Sequence, residues 1–195
     1  MSNKIKFGLS NVHYAIGTLN TNGSMSYNTP VPFPGAVSLS MEPQGDNTNF
    51  YADNIVYWIG NGSNGYSGTL EVARVIDSFK ENVLGMIKDG KSVLVEDQNA
   101  PTVHFALLFQ FEGDEKATRH VMYNCTCTRA NASGETKGET IEPQTETLNL
   151  TAVSIYNATL DTEIVKAEAS GDSDSTTYTN WYSTVYLPTA PSTST

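Results

Sequence analysis

The chain has 195 residues, with 11 Lys and Arg against 21 Asp and Glu, and therefore a formal net charge of −10 at pH 7. This acidity argues against a protein that binds nucleic acid through the phosphate backbone. Apolar residues make up 38% of the chain and charged residues 16%, while Ser and Thr account for 41 positions, which is typical of all-β proteins with hydroxyl-rich solvent faces.

The N-terminal segment argues against export. Residues 1–6 contain two lysines but are not followed by the apolar run of a secretory signal. The longest apolar stretch, residues 103–111, is interrupted by His104 and Gln110 and is far shorter than the roughly 18 consecutive apolar residues of a membrane span. We therefore expect synthesis in the cytoplasm and no membrane partner.

Period-two alternation predicts strands in the first half of the chain. After the Pro and Gly residues at 32–35, Val37, Leu39 and Met41 alternate with polar residues, which predicts a half-buried strand. Residues 55–59 and 66–73 are also predicted strands, separated by the Gly and Asn residues of a turn.

Helical spacing occurs once in the chain, over residues 76–87. Its apolar residues fall on one helical face, and Asp77 is placed as a possible N-cap. Gly85 and the turn at 88–90 end the pattern. The sequence therefore predicts one short amphipathic helix packed on a sheet. The apolar residues of the pattern are Ile76, Phe79, Val83, Leu84 and Ile87.

A long hairpin across the turn at 112–116 is predicted to form the core. Alternation places apolar side chains on one face of each strand. On the first strand these are Val103, Phe105, Leu107, Phe109 and Phe111. On the return strand they are Val121, Tyr123, Cys125 and Cys127.

The last third of the chain is less regular. The polar residues 131–146 predict a long loop or an extended arm. Alternation at Leu148, Leu150 and Ala152 then shifts by one position, which predicts a β-bulge near Ala152. From residue 170 onward Ser and Thr dominate, and residues 178–187 supply the aromatic and aliphatic anchors. This C-terminal segment is expected to be partly packed and frayed at its end.

The cysteines and histidines include the ligand types of a zinc site. Cys125 and Cys127 lie one residue apart in a strand pattern, with Cα atoms about 6.5 Å apart and parallel side chains, which is poor geometry for a disulfide. Strict alternation places His104 and His120 on the face opposite the cysteines. The pattern favours buried thiols, and we expect no metal and no cofactor.

No motif supports catalysis. Glu112, Asp114 and Glu115 offer carboxylates for acid–base chemistry, but they crowd a turn, where solvated acidic residues are ordinary. The chain contains no Gly-x-Ser-x-Gly nucleophile elbow. We therefore expect no catalytic residues and no enzyme activity.

Aromatic residues at 51–66 leave a carbohydrate-binding alternative open. Such side chains stack on sugars, although strands also use them for cross-strand packing. The candidates are Tyr51, Tyr57, Trp58 and Tyr66.

Several segments in sequence order carry a family resemblance that spans roughly residues 3–156. The chain resembles the major tail proteins, or tail tube proteins, of long flexible-tailed phages of Gram-positive bacteria. The segments are NKIKFGLSNVHYAIGT at 3–18, PVPFPGAVSLSMEPQG at 30–45, FYADNIVYW at 50–58, GYSGTLEVA at 65–73, FALLFQFEGDEKATRHVMYNC at 105–125 and ETIEPQTETL at 139–148.

The resemblance implies a mainly β fold, a β-sandwich or barrel-like tail tube domain with one short flanking α-helix and long assembly loops. The tube domain is expected at 1–169 and the Ser/Thr-rich segment at 170–195, without the appended immunoglobulin-like domain of some relatives. Hexameric rings would stack into a hollow virion tail tube that delivers the genome to the host. The implied partners are the tape-measure, tail terminator and distal tail proteins, and DNA passes without specific binding.

Three sequence properties agree with a tube. Strand edges without guarding charges at residues 37–41 suit pairing between subunits, and residues 131–146 suit an arm that orders on assembly. Six copies would carry a charge of about −60, so that a lumen lined by carboxylates would repel DNA. The candidate lumen or inter-subunit residues are Glu112, Asp114, Glu115, Glu139, Glu142 and Glu146. A tube of a phage-derived bacteriocin or secretion device is the second alternative.

Overall fold

Strands dominate the structure, a computed structural model that describes residues 4–132, 134–136 and 143–190. Two short helices accompany them, where the sequence predicted one. The elements are β1 Lys6–Leu19, β2 Met25–Tyr27, β3 Val31–Pro32, β4 Ala36–Pro43, β5 Asn47–Ala52, β6 Ile55–Asn61, β7 Tyr66–Val72, α1 Asp77–Asn82, β8 Ile87–Lys88, β9 Leu94–Val95, β10 His104–Gly113, β11 Thr118–Cys127, β12 Glu146–Val153, β13 Ile155–Asn157, β14 Thr162–Ile164, β15 Lys166–Ala169 and α2 Ser175–Thr179.

The main sheet is antiparallel and open. Its strand order is β2-β1-β10-β11-β12-β7-β4, with β3 paired to β1 and β15 paired to β11. Three further pairs, β5–β6, β8–β9 and β13–β14, form two-stranded sheets of their own. The predicted mainly β, sandwich-like fold is confirmed. No described helix has the length and apolar character needed to cross a membrane.

Apolar side chains are buried on both faces of the central strands. On one face, which we call the first core, Tyr14 and Phe105 pack with Phe33 and Phe79. On the other face, the second core, Ala15 and Leu108 pack with Trp181 and Ile155. The predicted hairpin face with Phe105, Leu107 and Phe109 is thus one of two buried faces, which explains why β10 is apolar at nearly every position.

A bulge in β11 overturns the predicted face of the return strand. Leu107 pairs with Met122 but Phe105 pairs with Cys125, so β11 contains one extra residue between these pairs. Val121 and Tyr123 therefore lie in the second core, whereas Cys125 lies in the first. The bulge also places His120, which stacks on Phe109, on the same face as Cys125. The prediction that both histidines oppose the cysteines was wrong for His120.

The helix is shorter than the apolar spacing predicted. It covers Asp77–Asn82, and Ile76 rather than Asp77 occupies the N-cap position, without a side-chain cap. Phe79 and Val83 are buried, as their spacing indicated. Gly85 then adopts a positive φ of 69°, which ends the helical path, and Ile87 belongs to strand β8.

Two other local expectations change in the structure. The register of β12 against β7 is regular from Glu146 to Ala152, so no β-bulge lies at Ala152. The alternation shifts because Ile155 belongs to β13 and packs in the second core. In β4 the pairing shifts between Ala36 and Ser38, which leaves Val37 half exposed while Leu39 packs against the first core.

Candidate assembly surface

The β5–β6 hairpin is a direct extension of the β4–β7 ladder. That ladder ends at the pair Pro43 and Tyr66. Backbone hydrogen bonds continue it, from the Gln44 N–H to the Gly65 carbonyl at 2.9 Å and from the Gly62 N–H to the Asp46 carbonyl at 3.1 Å. The inner half of this ribbon therefore lies in the main sheet, whereas its outer half forms a separate two-stranded sheet.

The hairpin turns at Asp53 and Asn54. Their φ angles are 52° and 62°, the conformation of a two-residue type I′ turn, which Asp and Asn tolerate and which matches the strand twist. Upstream of the turn, Phe50 pairs with Trp58 and Tyr51 pairs with Val56. One extra residue, Tyr57, lies in β6 between these two pairs, so the turn and this bulge together set the register of the aromatic residues.

The β5–β6 hairpin exposes apolar side chains on both faces. Because successive residues of a strand point to opposite faces, Phe50 and Tyr51 mark the two faces. Soluble monomers rarely expose such a contiguous apolar patch, and an isolated hairpin is marginally stable in water. The hairpin therefore has the character of an interaction surface. Its side chains with exposed fractions between 43% and 71% are Phe50, Tyr51, Ile55, Val56, Tyr57, Trp58 and Ile59.

The main sheet also has two open edges. Strand β4 pairs with β7 on one side, and no described strand pairs with its other side. At the opposite edge, β10 is the one described strand that pairs with residues 6–10 of β1. Unpaired N–H and C=O groups at such edges can extend the sheet into another chain. Ile5 and Phe7, at this second edge, are exposed.

Three of the predicted acidic residues lie together at the β10–β11 turn. Glu112 accepts a hydrogen bond from the Ser10 hydroxyl at 2.9 Å, and the Asp114 carboxylate accepts one from the Lys4 N–H at 2.9 Å. Glu115 lies in the same turn and is exposed. Because Gly113 pairs with Lys6, this acidic turn flanks the open edge of β1.

Glu146 lies at the other end of the sheet. It is the first residue of β12 and pairs with Val72, whereas the acidic turn adjoins the start of β11. Its carboxylate accepts a hydrogen bond from the Val75 N–H at 2.5 Å, which ties the chain after β7 to β12. Glu139 and Glu142 lie outside the described residues. The structure thus brings three of the six predicted residues together and separates Glu146 from them.

Cys125 is buried and Cys127 is partly buried, and both thiols are protonated at neutral pH. Burial raises the pKa of Cys125 and of Cys127 to about 12 each, because the apolar surroundings disfavour the thiolate. His104 faces Asn124, with its Nδ1 2.7 Å from the Asn124 side-chain oxygen. Within the described ranges, no three His, Cys, Asp or Glu side chains are grouped so that they could hold a metal ion.

The aromatic residues do not form one sugar-binding platform. Trp58 pairs with Phe50, so Trp58 and Tyr51 lie on opposite faces of the hairpin. Tyr66 lies in β7 and is partly covered by Lys166, whose Nζ is 5.3 Å from the ring centre. The aromatic side chains are instead spread over a two-sided surface, which suits contact with another protein chain.

The sequence did not identify the β5–β6 hairpin as the exposed surface. Residues 55–59 are predicted as a short strand, and the predicted arm at 131–146, which lies partly outside the described residues, stays a prediction. A detectable signal was present, because Phe50 and Tyr51, like Val56 and Tyr57, are consecutive apolar residues in strands bounded by Gly and Asn. Apolar residues on both faces require cover on both faces, and the described residues leave these side chains 43–71% exposed.

Comparison with known proteins agrees with a surface built for assembly. A family model described as phage tail tube protein matches residues 1–154, a range that includes the hairpin, both open edges and the complete main sheet except β15. A comparison with curated proteins found no match. The family match carries with it a structural role in the virion tail, in which subunits assemble into a tube. The chain therefore belongs to the phage tail tube protein family.

Proposed function

We propose that the chain forms hexameric rings that stack into a hollow tail tube, through which the phage genome is delivered to the host. The observation that carries this proposal is the β5–β6 hairpin, which is apolar on both faces and exposed. A subunit that remained a monomer would gain nothing from this surface. The resemblance described above extends the proposal to a long flexible tail and a Gram-positive host.

The open edges support ring formation. Strand β4 and residues 6–10 of β1 lie at opposite edges of the main sheet. Pairing the β4 edge of one copy with the β1 edge of the next is a heterologous contact, which closes into a ring when the rotation between copies divides a full turn. Ring closure leaves no open edge and so protects the chain from uncontrolled sheet growth.

The exposed β5–β6 hairpin supports contacts between stacked rings. Complete burial of a large apolar side chain stabilises an association by about 1.5–3 kcal/mol, and the hairpin offers seven. Part of this free energy offsets the entropy lost when two large particles associate. The remainder favours a stack of rings, in which each hairpin is covered on both faces.

Acidity supports passage of DNA without binding. A net charge of −10 per subunit makes a multi-copy ring strongly negative, so that DNA in the lumen is repelled. We retain Glu112, Asp114, Glu115, Glu139, Glu142 and Glu146 as candidate lumen or inter-subunit residues. Phage particles with Lys at each position test this assignment through the kinetics of DNA ejection. Slower ejection is expected for lumen positions, and unchanged kinetics for every variant would contradict the assignment.

The proposed partners in the tail are the tape-measure protein inside the tube, the tail terminator and the distal tail proteins at its ends. Residues 1–169 form the tube domain in this proposal, and 170–195 form a C-terminal segment. Trp181 of that segment packs in the second core, so the segment also contributes to the fold. Affinity isolation of the chain from infected cells tests whether these partners accompany it.

Electron microscopy of the purified protein at high concentration, beside analytical sedimentation, tests the proposed tube directly. We expect rings or tubes with sixfold symmetry and an open bore. The double variant Phe50→Ser with Trp58→Ser removes one apolar face and should remain unstacked, while circular dichroism shows an unchanged fold. Asn49→Ser, a small change on the same strand, is the matched control. A wild-type chain that forms neither rings nor tubes and is absent from purified virions would overturn the proposal.

A further inference from the structure

A second exposed apolar hairpin lies elsewhere in the molecule. In β8–β9, Ile87 pairs with Val95 and Lys88 pairs with Leu94. Ile87, Val93 and Val95 are exposed over 50–57% of their surface. In the part of the chain that the structure describes, no other strand pairs with this hairpin. Two separate apolar hairpins on one subunit raise the question of whether they belong to one contact.

The β8–β9 hairpin is held in a defined shape. The Asp89 carboxylate accepts hydrogen bonds from the Lys91 and Val93 N–H groups, each at 2.8 Å. The Asp89 N–H also donates to the Val93 carbonyl at 2.9 Å. The apolar side chains are therefore presented by an ordered turn, which lowers the entropy lost on docking.

The two hairpins lie at opposite ends of the β4–β7 ladder. The ladder continues into β5–β6 at Pro43 and Tyr66, and its other end is the pair Ala36 and Val72. The chain leaves that second end through α1 toward β8–β9.

An ion pair shows where β8–β9 lies relative to the main sheet. Glu96, which directly follows β9, pairs with Arg129 at 2.7 Å, and Arg129 lies just beyond the end of β11 at Cys127. Cys127 pairs with Leu150, and beyond it the chain continues along β12 toward Glu146, since the Thr128 N–H donates to the Asn149 carbonyl at 3.1 Å. The β8–β9 hairpin thus lies at the Val72 end of the ladder.

The charges of the two hairpins are complementary. Residues 44–64, around β5–β6, contain Asp46 and Asp53 but no Lys or Arg. The tip of β8–β9, residues 88–93, contains Lys88 and Lys91 against Asp89; Glu96 and Asp97 follow β9, and Glu96 is already paired with Arg129. Lys88 also lies 3.7 Å from Glu81. A contact between two β5–β6 hairpins would bring acidic tips together, whereas a contact between the unlike hairpins brings Asp53 toward lysines.

We propose that the β5–β6 hairpin of one subunit docks on the β8–β9 hairpin of a second copy in the next ring. This contact rests on the proposed tube function. It identifies β8–β9 as the surface that the β5–β6 hairpin contacts. Because the two surfaces differ and lie at opposite ends of the subunit, the contact is head to tail. Such a contact repeats without limit along an axis, whereas a contact between identical surfaces would stop at a pair.

Mixing two stacking-deficient variants tests the head-to-tail contact. Variant A carries Phe50→Ser and Trp58→Ser, and variant B carries Ile87→Ser and Val95→Ser. Each alone is expected to form rings that do not stack, because each lacks one partner surface. An equal mixture should form pairs of rings but no long tubes. The intact β5–β6 hairpins of a variant B ring can dock on the intact β8–β9 hairpins of a variant A ring, but the outer faces of that pair lack a partner surface. Leu187→Ser, also at an exposed apolar residue, is the matched control and should form normal tubes.

Charge exchange gives a second readout of the same contact. Asp53→Lys alone should raise the subunit concentration needed for stacking at least tenfold. Adding Lys88→Asp and Lys91→Asp to it should restore stacking. Normal tubes from variant B, or no rescue by the charge exchange, would overturn the contact while leaving the tube function intact. A wild-type protein that forms neither rings nor tubes and is absent from purified virions would overturn both proposals.

Discussion

Protonation of His120 makes the stability of the first core depend on pH. Its ring stacks on Phe109 at 5.1 Å between centres and meets Phe111 edge-on. Burial is the largest influence and lowers its pKa below 6.5, Glu168 acts in the opposite direction, and Lys166 and Lys6 lower it further. The Nε2 atom is buried without a hydrogen-bond partner. The folded state therefore favours the neutral imidazole.

Folding stability should consequently decrease as the pH falls. The unfolded chain binds the proton at higher pH than the folded chain, so the contribution of His120 is complete above pH 6.5 and decreases below it, toward the lowered pKa. Urea unfolding between pH 5 and 8 measures the slope. His120→Phe should flatten it, whereas Glu168→Gln should extend the loss to lower pH because an opposing charge is removed. An unchanged slope in His120→Phe would contradict this assignment.

Trp181 is the residue that fastens the C-terminal segment to the second core. Only 2% of its surface is exposed, its indole N–H donates to the His120 carbonyl at 3.3 Å, and its ring stacks on Tyr186. Arg119 adds to the attachment by donating to the Tyr178 carbonyl and lying over the Tyr178 ring. The segment 175–187 is thereby a packed cover of the sheet.

Truncation of this side chain should be costly. Trp181→Ala is expected to lower the free energy of unfolding by about 3–5 kcal/mol, because the cavity it leaves adds to the lost burial. Leu187→Ala, in the same segment but 40% exposed, should change it by less than about 0.5 kcal/mol. Chemical denaturation of both variants makes the comparison. Equal small effects would show that the segment is dispensable for the fold.

At the scale of elements, the sequence predicted where strands lie better than which side chains share a face of the sheet. Alternation correctly placed Phe105, Leu107 and Phe109 on one buried face. It was wrong for Val121 and Tyr123, because the extra residue in β11 is stabilised by pairing with β10, β12 and β15 rather than by a local signal. The helix was predicted too long since Ile87 has helical spacing but pairs in β8.

The candidate site was predicted even less completely. The acidic residues of the β10–β11 turn were identified as a group, but the separation of Glu146 from them depends on the strand order, which composition does not encode. The exposed hairpin was missed because apolar residues suggest burial within the chain. In the proposed assembly, Phe50 and Trp58 are residues whose burial requires a second copy.

The β4–β7 ladder supports the hairpin and contains a test of its packing. A Cβ atom on Gly68 would lie 1.8 Å from the Ser40 carbonyl oxygen, so any side chain would separate the two strands. Gly68→Ala should therefore destabilise the fold by about 1–3 kcal/mol or more. Gly90→Ala is the matched control, because no atom lies within 4 Å of the added Cβ. Similar thermal midpoints for the two variants would show that the ladder tolerates the insertion.

At the scale of the whole molecule, repulsion between acidic subunits opposes assembly, and burial of apolar side chains favours it. Each subunit has a net charge of −10, so subunits repel one another at low ionic strength. Salt reduces this repulsion, since the screening length falls from about 30 Å at about 0.01 M to about 3 Å at about 1 M. Burial of the hairpin side chains is not weakened by salt, and sulfate strengthens it.

Polymerisation should therefore require less protein as salt is added. We expect the subunit concentration at which tubes appear in sedimentation to fall several-fold between about 20 mM and about 500 mM NaCl, and further when sulfate replaces chloride. The Asp53→Lys variant, which raises the net charge by two, should still assemble less readily than the wild type, because loss of the local contact outweighs its weaker general repulsion. If the subunit concentration at which tubes appear instead rose with NaCl, ion pairs rather than the apolar hairpins would hold the subunits together.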